Sequence, residues 1–308
     1  MSAKPHYERA FFRLIYTPAI FEFTSRLFRF LGRGVYTAVA RAVAWTYAVT
    51  QHGVRDIVRE NLQLLTASPM GGRDAVRVFT TFGATIADYV AVGNMDRSAA
   101  AAWCAESLGE EYLAEAMGAG RGAILATGHF GFFEYGALLL GHMGYPVTVV
   151  TLSEHTPQLT EWRANFRRRW GAETIEIGAD AFSSLRVVQA LAEGRFAAML
   201  ADRPAGGPME PIDLPNGRIA FSASPALLAY LADCPVIPVA VTRRRDGFYR
   251  IVSKPCIWPR RIGADRDTSV KQATRQIAEA LFEEIAEAPH QWYQFVSVGI
   301  KPQPQVES

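Results

Sequence analysis

Cysteine is scarce in this chain. Its 308 residues include three, Cys104, Cys234 and Cys256, far apart and odd in number. No disulfide framework and no paired-thiol metal motif can be drawn from them, and they fit a reducing compartment. Long hydrophobic runs are missing too. No stretch of about 18 uncharged apolar residues occurs, the length a helix needs to cross a bilayer. The best early stretch, Ala42 to Val54, lies between Arg41 and Arg55, contains Gln51 and His52, and is too short to span. Nor is a secretory signal evident. Arg9 and Arg13 are followed by Ile15-Tyr16-Thr17-Pro18, with no long apolar core and no small-residue cleavage site. Several motifs are lacking as well. Without a Gly-x-Ser-x-Gly elbow, a serine nucleophile of the α/β-hydrolase type is disfavoured. No His-Glu-x-x-His sequence or cysteine pair argues for zinc. The glycines at 118–122 precede an apolar strand-like run, whereas phosphate-binding glycines follow the strand, so they read as a turn. There is no internal repeat and no low-complexity segment.

What is present describes a globular chain with a sizeable core. Hydrophobic residues make up 49% and charged residues 20%, which excludes disorder. The net charge is only +2, but it is uneven. Residues 1–60 carry Lys4, Arg9, Arg13, Arg26, Arg29, Arg33, Arg41, Arg55 and Arg59 against Glu8, Glu22, Asp56 and Glu60. A basic, aromatic-rich start suggests an anionic membrane surface as partner; nucleic acid is not expected. From Pro18 onward, Ile20, Phe23, Leu27, Phe30 and Leu31 share one helical face, with Glu22, Arg26, Arg29 and Arg33 opposite. This is either an ordinary core-covering helix or one lying in a membrane interface with its arginines near headgroups.

Further helices are predicted at about 35–65 and 74–92. After Gly122 the pattern changes to short β-type runs at 123–127, 146–151, 174–177, 196–201, 236–242 and 248–254. Helical patterns fall between several of them, at about 131–143, 157–170, 181–193 and 225–232, and a last amphipathic helix covers about 269–287. The expected fold class is α/β: a central, mostly parallel sheet flanked by helices, after an N-terminal amphipathic helical region. The expected division is residues 1–65 for membrane docking and 66–308 for the α/β unit.

The most informative segment is His129-Phe130-Gly131-Phe132-Phe133-Glu134. On a straight helix, five residues are roughly 500° of rotation, leaving His129 and Glu134 about 140° apart. With His129 on a strand-to-helix turn and Glu134 in the first helical turn, both can face one cleft. The carboxylate would then fix the imidazole tautomer and leave the other nitrogen basic. The bland reading is a turn histidine with an incidental glutamate downstream. A Gly-His turn at the carboxyl end of a buried strand, however, is where open α/β sheets place ligands. Arg167-Arg168-Arg169 close a predicted helix; they either complement its dipole or clamp a phosphate or an acidic carrier. Asp202-Arg203 follow the strand at 196–201 and open a glycine-rich loop, as an active-site rim or as an internal salt bridge.

In this order the segments resemble the bacterial lipid A lauroyl/myristoyl acyltransferase family, and are similar to phosphatidylinositol mannoside acyltransferases within the lysophospholipid acyltransferase-like group. The resemblance runs from Asn61-Leu62 through Gly122–Gly131 with Glu134 and the arginines before Gly171 to Ala201-Asp202-Arg203. It continues with Cys234-Pro235-Val236-Ile237-Pro238-Val239 and ends at Pro289-His290-Gln291-Trp292. It implies a glycerolipid-acyltransferase-like fold and transfer of a fatty acyl group, from an acyl carrier protein or coenzyme A, to a hydroxyl of a membrane glycolipid. The implied place is the cytoplasmic face of a bacterial inner membrane. No metal or cofactor beyond the acyl co-substrate is implied. By position, His129 is the implied general base and Glu134 its orienting carboxylate, with Arg167 or Arg168, Asp202 and Arg203 as the supporting substrate site. Where many relatives have Asn-Trp before the glutamate, this chain has Phe132-Phe133. The rival expectations are a thioester or ester hydrolase and a catalytically silent lipid-binding protein.

Overall fold

A computed structural model describes residues 18–153, 156–178, 182–203, 207–263 and 265–300, and for residues 18–22, 28 and 29 only the backbone. The expectations on Lys4, Glu8, Arg9 and Arg13, and on the side chains of Ile20, Glu22 and Arg29, lie outside the described part of the chain.

Three long helices come first: α1 (Pro18–Thr50), α2 (His52–Leu64) and α3 (Gly72–Asn94). A short α4 (Arg97–Ala101) is next, capped by Asp96, which accepts from the Ser98 and Ala99 amides. The α/β part then runs β1 (Cys104–Leu108), α5 (Glu110–Gly118), β2 (Ala123–Thr127), α6 (Phe133–His142), β3 (Val147–Leu152), α7 (Pro157–Arg169), β4 (Ala172–Ile177), α8 (Ser183–Ala192) and β5 (Phe196–Leu200). A hairpin, β6 (Met209–Leu214) and β7 (Gly217–Ser222), leads to α9 (Ser224–Ala232), β8 (Val236–Arg243), β9 (Tyr249–Ser253) and α10 (Arg266–Glu287), and a 3-10 turn at Pro289–Gln291 is followed by an irregular segment to residue 300.

Seven strands form one sheet in the order β1-β9-β8-β2-β5-β3-β4. All neighbours are parallel except β8 and β9. The central strand β2 is buried on both faces, Ala123, Ile124 and Ala126 having no exposed surface, as a parallel strand under helices on each side must be. Ile124 and Ala126 face a core shared with α9 and α10, while Ala123 and Leu125 face one shared with α6 and α7. The expected α/β class, with its mainly parallel sheet and leading helices, is what the chain forms.

Three strands escaped the sequence pattern. β1 reads Cys-Ala-Glu-Ser-Leu, half exposed at the sheet edge, so no apolar alternation marks it. The hairpin buries Ile212, Ile219 and Phe221 on one side, yet Pro211 interrupts its first strand. The expected break between the first two helices falls at Gly32, which is non-helical with a φ of 69° that no other residue type adopts cheaply there, so α1 is two helices joined at a kink; the region predicted at 35–65 is itself divided, between Thr50 and His52.

That kink redirects Arg33. Expected on the polar, solvent-facing side, its guanidinium turns inward instead. Nε meets Asp88 Oδ1 at 2.9 Å, Nη2 reaches Asp88 Oδ2 and the Gly247 carbonyl, and the group lies 3.6 Å from the centroid of the Trp103 ring. Asp88, on α3, has no exposed surface and also accepts from Arg243 Nε at 2.9 Å and Tyr249 Oη at 2.6 Å. A buried carboxylate needs such partners, and here they bolt α1 to α3 and the sheet edge. α3 is long and apolar enough to cross a membrane, but 67% of that stretch is buried within the protein, as befits a core helix.

Candidate active site

The carboxyl ends of β2 and β5 create the site. The two strands pair in parallel with Thr127 opposite Leu200, and Ala201 N bonds the Thr127 carbonyl at 2.9 Å. Two residues further on, the same register brings His129 opposite Asp202. Their contact is close: His129 Nδ1 lies 2.7 Å from Asp202 Oδ1, and the His129 amide donates to Oδ2 at 2.7 Å. A carboxylate only accepts, so Nδ1 carries the proton and Nε2 is left as the basic nitrogen.

The turn that carries His129 depends on two glycines. Gly131 has φ 55°, and a Cβ there would come within 1.7 Å of the Val241 carbonyl oxygen. A Cβ on Gly128 would meet Asp202 Oδ2 at 2.9 Å, displacing the carboxylate from the histidine. The turn is held from outside by β8 and by the segment after α10. Phe132 N bonds the Val241 carbonyl, Gly131 N the Gln291 carbonyl, and Tyr293 N the His129 carbonyl at 2.7 Å. Gln291 in turn brackets the end of β8, accepting from Arg243 N at 2.8 Å and donating to the Arg243 carbonyl at 2.9 Å.

Asp202 has no exposed surface and is saturated with donors. Besides the two from His129, Trp292 Nε1 donates at 2.9 Å and Gln294 Nε2 at 2.7 Å, both to Oδ2. The Gln294 amide is itself oriented, because its Oε1 accepts from Arg203 Nε at 2.6 Å while Arg203 Nη2 donates to the Tyr293 carbonyl. Asn61, buried on α2, donates to the carbonyls of Gln294 and Val296 and accepts from Val298 N. The N-terminal helices thereby brace the strap that holds the carboxylate. Burial alone would raise the Asp202 carboxyl; the facing His129, Arg203 and the Trp292 donor outweigh it and hold the group below its ordinary range. His129 is lowered from its ordinary 6.5, by burial first and by Arg203 as well, with Asp202 only partly opposing. Its side chain keeps 22% exposure, so it is open to substrate.

Glu134 stands where expected along the chain, in the first turn of α6, but it does not orient His129. That contact belongs to Asp202. Glu134 is turned to Arg167 of α7, whose Nε donates at 2.6 Å, and both side chains are buried, at 7% and 4% exposure. Desolvation would raise the Glu134 carboxyl, but Arg167 and then Arg163 overcome it and hold it below the usual carboxylate range. The physical reason is locality: a neighbour five residues away is offered by the helix, but the parallel register supplies a nearer carboxylate from another strand. Of the arginine run, Arg167 points inward, while Arg168 is exposed and bonds Asn165 on its own helix at 2.9 Å. Arg203 lies beneath the site, on the Gln294 amide. Trp292, Gln294 and Asn61 were not read as site residues, although each lies in or beside a segment that carries the resemblance.

An apolar pocket of about 660 Å³, part of it open to solvent, lies between α5, α6 and the sheet. Leu125, Ala137, Leu139, Leu140, Val239 and Ile251 are among its walls. Phe133 also lines it and meets the His129 ring edge-on, centroids 5.8 Å apart, so the pocket lies one phenylalanine ring from the imidazole. Its apolar lining suits a chain-like apolar ligand.

No curated protein matches this chain at a significant level. The family model described as bacterial lipid A biosynthesis acyltransferase matches residues 10–297, nearly the whole chain. With an oriented imidazole at the carboxyl end of β2 and an apolar pocket beside it, the chain belongs to the bacterial lipid A biosynthesis acyltransferase family, and it is an acyltransferase taking a lipid acceptor and an acyl donor.

Proposed function

We propose that this acyltransferase moves a fatty acyl chain from a thioester, on acyl carrier protein or coenzyme A, to a hydroxyl of a lipid A-like membrane glycolipid, with His129 as general base. The observation that carries this reading is the pairing of His129 Nδ1 with a saturated, buried Asp202, which leaves Nε2 basic beside an apolar pocket. The pocket receives the acyl chain. The acceptor hydroxyl hydrogen-bonds Nε2, its oxygen attacks the thioester carbonyl carbon, and its proton passes to the imidazole. Asp202 stabilises the imidazolium. Collapse of the tetrahedral intermediate expels the thiolate, which takes that proton, and no acyl-enzyme is formed. A hydroxyl is a poor nucleophile near neutral pH, and a positioned base contributes roughly 10²–10⁴-fold. Glu134 and Arg167 act one layer out, fixing α7 against the start of α6. No metal or further cofactor enters these steps.

The enzyme docks peripherally on the cytoplasmic face of the inner membrane. Phe23 and Phe30 are 65% and 88% exposed on the first half of α1, and Val35, Val39 and Val43 form an exposed apolar stripe beyond the kink. Exposed Arg26 and Arg41 suit anionic headgroups. Phe23→Ser with Phe30→Ser is expected to release the protein from anionic vesicles in a flotation assay.

The deciding experiment is mass spectrometry of membrane lipids from cells lacking the gene, complemented with wild type or His129→Ala. One lipid is expected to lose the mass of one acyl chain, restored by wild type alone. Full restoration by His129→Ala would remove the base assignment. Product analysis with and without acceptor lipid separates transfer from hydrolysis.

A further inference from the structure

The wall of the pocket is mainly apolar, yet Thr127 is among its lining residues, and the Thr127 hydroxyl is a buried polar atom without a protein hydrogen bond. Thr127 is the last residue of β2. Strand alternation puts it on the same side as Leu125, and both line the pocket with Phe133. Other buried threonines are matched: Thr85 with Tyr293 Oη at 2.9 Å, Thr148 with Arg195 Nε at 2.8 Å, Thr274 with the Val270 carbonyl at 2.7 Å. Thr37 and Thr174 share the unmatched state but lie away from the pocket. An unmatched buried hydroxyl costs stability, and valine would fill the same strand position without that cost. What sets Thr127 apart from Thr37 and Thr174 is the pocket it lines, from which a ligand can supply the partner its hydroxyl lacks.

We propose that Thr127 is a catalytic residue, its hydroxyl donating to the carbonyl oxygen of the acyl thioester and to the oxyanion that forms from it. This rests on the acyl-transfer reading given above. The chain tail fills the pocket toward Met143 and Tyr145 at the far end of α6. The reacting carbonyl therefore lies at the opposite end, between Thr127 and His129. In extended chain, two residues separate the Cα atoms by about 6–7 Å, a gap that a side chain and one carbonyl group fill. As the acceptor oxygen bonds to the carbonyl carbon, the π pair moves onto the carbonyl oxygen, which accepts from the Thr127 hydroxyl. When the pair returns, the carbon–sulfur bond breaks and the thiolate leaves with the proton held by His129. The donor costs no reorganisation at that moment, since it has no protein bond to give up.

The test compares Thr127→Val and Thr127→Ser in the full-length protein, in detergent micelles, with a saturated acyl-coenzyme A or acyl carrier protein thioester and a purified lipid A precursor. Removing one such donor is expected to lower kcat by about 10²-fold in Thr127→Val, with KM for the thioester little changed. Thr127→Ser is expected to recover most of the loss, and the valine variant to melt no lower than wild type. A valine variant within about threefold of wild-type kcat overturns the assignment. So does equal loss in the serine variant, because shape rather than the hydroxyl would then matter. Loss confined to donors bearing a hydroxyl on the chain would make Thr127 a reader of the chain and not of the carbonyl, and also overturns it. A wild-type protein that transfers no acyl group from either thioester overturns the underlying reading as well, while a wild type that transfers beside an unimpaired valine variant overturns only the role of Thr127.

Discussion

Asp88 and Asp202 are both wholly buried carboxylates, each ringed by donors, yet the rings differ in charge. Asp88 meets the guanidinium groups of Arg33 and Arg243 and the hydroxyl of Tyr249. Tyr249 is raised well above its ordinary pKa, by burial first and then by Asp88, so it remains a neutral donor. Two fixed cations more than cancel that carboxylate, and the cluster serves to fasten α1 to α3 and the sheet. Asp202 meets an indole, a carboxamide and an amide, all neutral, and one imidazole. Neutral donors stabilise the charge without cancelling it, so its field acts on the imidazole and favours the imidazolium formed during transfer. A buried carboxylate is thus a bolt or an orienting group according to whether its partners are cations or dipoles.

The largest effect expected from this difference is that of Asp202→Asn. The substitution keeps shape but removes the charge and can present an amide to Nδ1, favouring the wrong tautomer. A loss of about 10²–10⁴-fold in kcat is expected, with a far smaller change in melting temperature. Steady-state rates beside thermal melts check it. Near-normal turnover would show that Asp202 does not orient the base. Asp88→Asn is expected to behave in the opposite way. It leaves two buried guanidiniums short of their partner, at a cost of roughly 3–5 kcal/mol, while turnover at a temperature where the protein stays folded changes little. Denaturant unfolding reads that loss, and a large fall in kcat without destabilisation would erase the distinction between the two carboxylates.

Glu134→Gln sharpens the comparison from a third carboxylate. Its partner Arg167 is a single buried cation, so the variant is expected to lose about 1–3 kcal/mol, as for a buried charged group left with a weaker acceptor. The acidic limb of the pH–rate profile should stay in place, because Glu134 does not touch the imidazole. A moved limb would return Glu134 to the orienting role that the sequence suggested.

Why that suggestion arose is instructive. His129 was legible because everything that places it is local: an apolar strand, a Gly-His-Phe-Gly turn, a helix start. All six predicted strand ranges match strands of the sheet within about two residues, the central parallel ones because they are continuous apolar runs. The partner of His129 was not legible as such. Asp202 lies in a different strand, and only the parallel register, Thr127 opposite Leu200, brings it to the imidazole. Spacing along the chain cannot report register between strands that are not consecutive. Trp292 and Gln294 are further still from the turn in sequence, and they reach it through a strap whose backbone pairs with residues 129–131. Arg33 failed for the reverse reason: the wheel assumed a straight helix, and the kink at Gly32 rotates Arg33 and the rest of α1 away from that wheel.

The smallest expected effect concerns the acidic limb itself. Transfer needs neutral His129, so kcat/KM rises with pH through the imidazole pKa of the free enzyme. Burial first, and Arg203 second, hold that pKa below 6.5, with Asp202 opposing. The limb is therefore expected on the acid side of an ordinary histidine. Removing the Asp202 charge moves the limb further to acid at a lower plateau, and Arg203→Gln moves it back toward the ordinary value. Stability has the same sign. An unfolded His129 takes up a proton near 6.5 while the folded one resists, so stability falls as pH drops below 6.5 toward the folded value. Asp202 adds its own loss in a lower window, as pH falls from the ordinary carboxylate range through its depressed folded value. Melting temperatures of wild type and His129→Gln across pH 4–8 separate the two windows, because only the upper one disappears with the imidazole. A limb on the alkaline side of 6.5 would mean that the Asp202 charge, not burial, dominates the base.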